Sequence, residues 1–328
     1  MWQFVKRLLG RDEMAVKVDP ALIDRLVEIA SPRIKLADNY RQRLAPMVLH
    51  AGERVQLLEE KLPAPLPLTT ESWRQSALLN LAFANPERMA ALVAASETVR
   101  QWFAEHPQSD RAFAVMAMAH EVAHRYGMEE QDGRVRQDVL QDVLVLRDHR
   151  FGDPVGTLGE FAQHAHLRAM EELAHHAARR IQGLEADRNL IENEINTLRV
   201  ALRLGGSTNL LDASPMQRQR LKRLDFLQEE LEQTRSGLEP AAQLGVLCAT
   251  LRDPEGQLRF TETKLEVDAL GILRPGDPQA HLIRLIEIEM IADIPVRRVL
   301  LPVEIPRSLI RREDGSPGEA TIFNVTTF

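Results

Sequence analysis

Two stripes of apolar residues, spaced alternately by four and three, constrain this chain more than any other feature. Ala177, Ile181, Leu184, Arg188, Ile191, Ile195, Leu198 and Leu202 form the first, and Leu221, Leu224, Gln228, Leu231, Arg235 and Leu238 the second. That spacing keeps one face of a helix apolar and requires a second helix to cover it. Between them "GGSTNLLDASP" supplies Gly205 and Gly206 to end one helix and Ser214-Pro215 to cap and start the next. The simplest product is an antiparallel coiled-coil hairpin over residues 160–240, with Leu184, Ile191, Ile195 and Leu198 facing Leu221, Leu224, Leu231 and Leu238. Arg188, Gln228 and Arg235 fall within the stripes, where burial is costly, and are expected at the hairpin's edge or at a self-association contact.

The remainder reads as α+β and predominantly helical. Aromatic residues make up only 5% of the 328, which favours helices over a sandwich or barrel. "DPALIDRLVEIA" offers Asp19 as an N-cap and Pro20 at the first helical position, with Leu22, Leu26 and Ile29 on one face. A second helix runs to Leu62, where "PAPLP" reads as a stiff extended linker. Helices resume at Thr70 and Asn85, break at "HPQSD", and restart at Asp110 as far as Gly127. Asp132-Gly133, with Val135, Val139, Val143 and Val145 following, predicts a small β-hairpin, with a helix through 135–147 as the alternative. "FTETKLEVD" alternates with strand period, putting Leu265 and Val267 on a core face and Glu262, Lys264 and Glu266 outside. "HLIRLIEIEMIA" and "VRRVLLPVEI" are two further strands, and Pro302 suggests an edge position or a bulge in the last. The expected layout is an amphipathic tail (1–14), a helical domain with its hairpin (15–159), the coiled-coil hairpin (160–240), a β-rich unit (241–310) and a loose tail (311–328).

Residues 117–130, "AMAHEVAHRYGMEE", carry the sharpest chemical motif. His120, Glu121 and His124 spell H-E-x-x-H. On a helix, i and i+4 share a face, so two imidazoles can bind one zinc at about 2.0–2.1 Å while the glutamate serves as general base. Gly127 and Glu130 extend the spacing. The run resembles the metzincin metallopeptidases, whose longer motif brings a third histidine where this chain has Glu130. The resemblance implies zinc held by His120, His124 and Glu130, with Glu121 catalytic; no Met-turn follows. A gluzincin arrangement would instead take Glu160 as third ligand. The alternative for these histidines is a helix whose imidazoles pack and hydrogen-bond. Glu160/His164, Glu171/His175 and Glu172/His176 also stand at i,i+4, and read as pairs on a solvated face.

"YGMEEQDGRVRQDVLQDVLVLRDHRF", with a following coiled-coil hairpin and β unit, resembles a group of proteobacterial coiled-coil proteins of uncharacterised function. That resemblance implies packing for the histidine segment and lends no activity.

Other classes find little purchase. A net charge of −7 gives no reason to expect nucleic acid, and "RQRLKR" at 218–223 lies on a hairpin arm beside acidic residues. The sequence has no Walker A loop, dinucleotide fingerprint or G-x-S-x-G elbow. A single cysteine, Cys248, fits a reducing cytoplasm and rules out an intrachain disulfide. No window is apolar enough to span a membrane; Trp2, Phe4 and Leu8 beside Lys6 and Arg7 could touch a membrane surface. Two functions are carried forward. The leading one is a non-enzymatic cytoplasmic scaffold without cofactor, presenting the hairpin to a protein partner or its own copy. The other is a zinc-dependent metallopeptidase using His120, Glu121 and His124.

Overall fold

The computed structural model describes residues 18–131, 134–204, 215–290 and 296–310. These residues fall into two compact units, neither a single stretch of sequence. The tails, the 205–214 connection and the Asp132-Gly133 turn expected from sequence lie outside the described residues.

The first unit draws on residues 18–60, 165–204 and 215–259 and is helical. Helix α1 (Pro20–Ala30) starts where Asp19 accepts the Ala21 amide at 2.9 Å. Its buried face is Ile23, Leu26, Val27 and Ala30, rotated from the expected Leu22, Leu26 and Ile29. A 3-10 turn (Pro32–Leu36) leads to α2 (Tyr40–Glu59), which buries Leu44, Val48, Ala51 and Val55 at helical spacing. In α9 (Pro240–Arg252), buried Gln243 accepts the Ser31 hydroxyl at 2.7 Å and donates to the Leu238 carbonyl at 3.0 Å, so its polar ends are satisfied. The short α10 (Pro254–Gln257) follows.

The second unit, residues 61–131, 134–164, 260–289 and 296–310, is built on one mixed sheet. Its strands are β1 (Leu66–Pro67), β2 (Arg111–Gln131), β3 (Arg134–Phe151), β4 (Leu258–Val267), β5 (His281–Met290) and β6 (Val296–Pro306). The order is β3-β2-β6-β5-β4, with β1 parallel to β6. Four short helices, α3 (Thr70–Gln75), α4 (Ala77–Ala82), α5 (Pro86–Ala95) and α6 (Glu97–Glu105), pack Leu79, Phe83, Met89, Val93 and Phe103 against the sheet. Thr69, Ser76, Asn85 and Ser96 each cap one of them through the side chain.

Several expectations are corrected. The segment from Asp110 is strand, not helix. Its apolar residues satisfy both periods, but Ala112, Ala114, Met116 and Met118 are buried on one face while β6 and β3 bond to both edges. Ladders on two sides override the helix propensity of alanine. The hairpin expected near residue 132 is therefore far longer than two short strands. "PAPLP" contributes β1 to the sheet, with Leu66 opposite Val303. The C-terminal strands form where expected, but they extend the sheet of β2 and β3 rather than make their own.

Pro302 occupies an interior strand, opposite Val115. The Val115 carbonyl accepts from Gly152 on the β3 side, so Pro302 faces a residue that offers it no hydrogen bond. In β4, Leu265 and Val267 pack in the core and Glu262 and Lys264 are exposed, as the alternation requires. Glu266 is half-buried and accepts the Gly276 amide at 2.6 Å. No helix among the described residues is long and apolar enough to cross a membrane.

Candidate functional site

A strand spaces residues i and i+4 by about 13 Å, where a helix brings them to about 6 Å. His120 and His124 therefore leave β2 one behind the other, too far apart for one zinc with its ligands at about 2.0 Å. Each imidazole has its own neighbour. The His124 Nδ1 lies 2.7 Å from Asp142 Oδ1 across the β2–β3 ladder, and His120 Nε2 lies 3.9 Å from Glu287 Oε1 of β5.

Glu121 projects from the opposite face and meets Arg147 at 2.6 Å. Glu130 stands opposite Val135, near the far end of the ribbon. Glu160 closes a capping box at the start of α7 (Leu158–Leu204): its Oε2 accepts the Gly156 and Thr157 amides at 3.0 and 3.1 Å, while Thr157 Oγ1 accepts the Glu160 amide. The expected ligands are thus dispersed. Among the described residues, no group of three or more His, Cys, Asp and Glu side chains could hold a metal ion.

Of the i,i+4 pairs of α7, Glu160 and His175 are exposed as expected, but two members are not. Glu171 is buried and bound by Arg25 and, at 3.1 Å, by Arg168, and His176 is buried. Glu171 is an anchor between α1 and α7, a role its spacing from His175 did not reveal.

The sharpest surface is the helical pair. The second half of α7 packs against α8 (Pro215–Gly237) through buried Ile191, Ile195, Leu227 and Leu231, with Leu198 and Leu224 alongside. A Cβ on Gly237 would sit 3.8 Å from Leu184, and Glu194 meets Arg223 at 2.9 Å, so the helices run in opposite directions.

The stripe of α8 differs from the expected one. Gln228 and Arg235 are exposed, and Leu227 and half-buried Thr234 take their places. The series Leu224, Leu227, Leu231, Thr234, Leu238 keeps the same alternation while leaving both polar residues in water. Arg235 instead reaches Glu192 and Glu232. Leu221 is half-buried, and Leu238, past the end of α8, is buried.

The chain matches no protein-family model, no curated protein and no solved structure. Function must be read from its own surfaces.

On the helical pair those surfaces carry residues the stripes did not flag. Leu190, Val200 and Phe226 are 67%, 55% and 55% exposed although their helices already have each other as partners. Arg223 holds Glu194 while its guanidinium lies 5.4 Å from the Phe226 ring centroid. Its hydrogen bond to Glu194, helped by its charge, draws that carboxyl below the usual range. The signal was present in the sequence as apolar residues lying off the seam.

Proposed function

We propose that this chain is a non-enzymatic interaction protein, and that the second half of α7 with α8 forms an antiparallel coiled-coil arm that docks a protein partner. One observation carries the reading: Leu190, Val200 and Phe226 remain exposed on helices whose seam is already filled by Ile191, Ile195, Leu227 and Leu231. Apolar side chains beyond those needed for pairing suit a contact with a further protein. A reducing cytoplasm suits the lone Cys248, and no nucleic acid or cofactor is needed. The peptidase alternative draws no support from the geometry, because H-E-x-x-H on a strand lacks the one-turn spacing on which its chemistry rests.

The test is photo-crosslinking of the full chain in its producing cells. A photoreactive residue in place of Phe226 should give a discrete adduct with another protein, and one in place of Glu97, exposed on α6, should not. The adduct should disappear when Leu224 and Leu231 are both replaced by Asp. Identical adduct patterns from positions 97 and 226, or none from either, would overturn the reading.

A further inference from the structure

We propose that a second copy of this chain packs antiparallel against the outward face of α7, the face turned away from α8, about a two-fold axis through Asn193. The inference names the occupant of one face of the arm, and it rests on reading that arm as the docking element.

Charge divides the arm along its length. Residues 195–204 and 215–224, its outer half, hold six arginines and lysines and no acid. Residues 185–194 and 225–237, its inner half, hold eight acids and two arginines. Antiparallel pairing of α7 with α8 gathers each set into one band, because Glu194 lies beside Arg223. A parallel neighbour would set cations against cations and acids against acids. An antiparallel copy sets each band on its opposite, so the arm is complementary to itself.

The face that receives the copy carries no charge. The seam of α7 runs through Leu184, Ile191, Ile195 and Leu198, and the residues opposite it face water. Between Gln182 and Val200 that outward face holds nine residues, every one exposed and none charged. A solvated helix face ordinarily carries charge, and one without it can be covered with no ion stripped of water. Gly183, Ala186, Leu190, Asn193, Thr197 and Val200 recur on it at alternate steps of three and four, the spacing that another helix fills. His175 and Arg179, on the same face up to two turns earlier, are exposed too, so the face stays open past the level that the copy's helix reaches.

Side chains choose the register. With the axis at Asn193 the two Asn193 amides meet, Asn189 faces Asn196 of the copy, Leu190 faces Thr197, and Ala186 faces Val200, small against larger. The same axis places Glu185 opposite Arg199 on one flank, twice by symmetry. Moving it half a heptad inward, between residues 189 and 190, opposes Glu185 to Glu192. Moving it outward by the same step leaves Ala186 past Leu204, where the copy's α7 ends. It also turns Arg199 to Glu192, which Arg235 already holds. Of the three, only the Asn193 axis suits both the face and its flank, as an isologous contact requires.

Cysteine pairs test axis and direction together. Helices packed roughly 8–10 Å apart, with Cα atoms about 2.3 Å from each axis, bring directly facing Cα atoms to about 4–5 Å, within disulfide reach. In full chains whose Cys248 is replaced by Ala, Asn193→Cys should give a disulfide-linked dimer on mild oxidation. Ala186→Cys and Val200→Cys should each give none alone, since identical residues then lie about 21 Å apart, and should cross-link when mixed. No dimer at 193, or cross-linking of Ala186→Cys with itself, overturns the proposal. Sedimentation equilibrium gives a second readout. Glu185→Arg and Arg199→Glu chains should each self-associate roughly tenfold or more weakly than the parent, and their equimolar mixture should recover the dimer. Parent-like association of either alone overturns the register. A crosslinked adduct at Phe226 with a different protein, with no dimer at 193, would leave the arm a docking element and remove the second copy as its partner.

Discussion

Arg235 reaches Glu192 across the helical pair at 3.1 Å, from a position outside the apolar strip that Leu231 fills one turn earlier. The two residues fix the phase of α8: leucine inward, arginine at the flank. A buried guanidinium would demand a buried partner, whereas a flanking one keeps its hydration and still bridges the helices.

That phase makes the first prediction. Leu227→Ala should destabilise the helical pair by about 2–4 kcal/mol, the cost of emptying a buried leucine site. Gln228→Ala, one residue on and exposed, should change stability by less than about 0.5 kcal/mol. Hydrogen exchange of amides in 185–204 and 220–235 reads both. A larger effect at 228 than at 227 would mean that the phase is the other one.

Glu160 separates capping from metal binding. Glu160→Ala should cost about 1 kcal/mol through loss of the bonds to the Gly156 and Thr157 amides, and Glu160→Gln should recover part of it. Elemental analysis should find purified protein with well under one equivalent of zinc, unchanged when His120 and His124 are both Ala. Stoichiometric zinc that disappears in the double variant would restore the metallopeptidase reading.

What the sequence disclosed and what it hid follow one physical division. Contacts between residues near in sequence were legible: Asp19 capping α1 and the helical stripe of Ile191 and Ile195. Strands β4, β5 and β6 were legible by their alternation. Contacts made at long range were not. The run from Arg111 to Gln131 has helix-forming alanines and methionines, and ladders to β3 and to β6, the latter nearly two hundred residues away, make it a strand. The H-E-x-x-H motif failed with it, because its chemistry depends on helical spacing. For α8 the error was of phase alone, since two series of residues fit one repeat and only packing against α7 chose Leu227 over Gln228.

Gly271 provides a prediction about the sheet. Its φ of +79° lies in the left-handed region, and a Cβ there would sit 2.8 Å from Leu81 Cδ1 and 3.2 Å from the Leu144 carbonyl. Its own carbonyl accepts the Leu144 amide at 2.9 Å, so this backbone cannot retreat without losing a bond to β3. Gly271→Ala combines conformational strain with overpacking and should cost more than about 1 kcal/mol. Thermal unfolding measures it, and Gly276→Ala is the control. Gly276 has a similar φ of +78° but open space around its would-be Cβ, so it should lose the strain component alone. Equal losses at both would show that the contacts with Leu81 and Leu144 relax freely.

His149 gives the last prediction, a pH dependence. Its ring stacks on Phe83 at 5.3 Å, and its Nε2–H donates to the Ala82 carbonyl at 2.8 Å. Burial lowers its pKa below the ordinary value of 6.5, and nearby Arg88 acts in the same direction, against the partial opposition of the Ala82 bond and Asp148. The unfolded chain therefore holds a proton on this ring at pH values where the folded chain has released it. Stability contributed by neutral His149 is complete above the ordinary histidine value and is lost as pH falls below it. Melting temperature should decline on acidification from about pH 7.5 to about pH 5.5, and His149→Gln, which keeps a donor for Ala82 but cannot ionise, should flatten part of that decline. A slope identical to the parent's would show that the imidazole titrates alike in both states, and that its place beside Phe83 leaves its proton affinity unchanged.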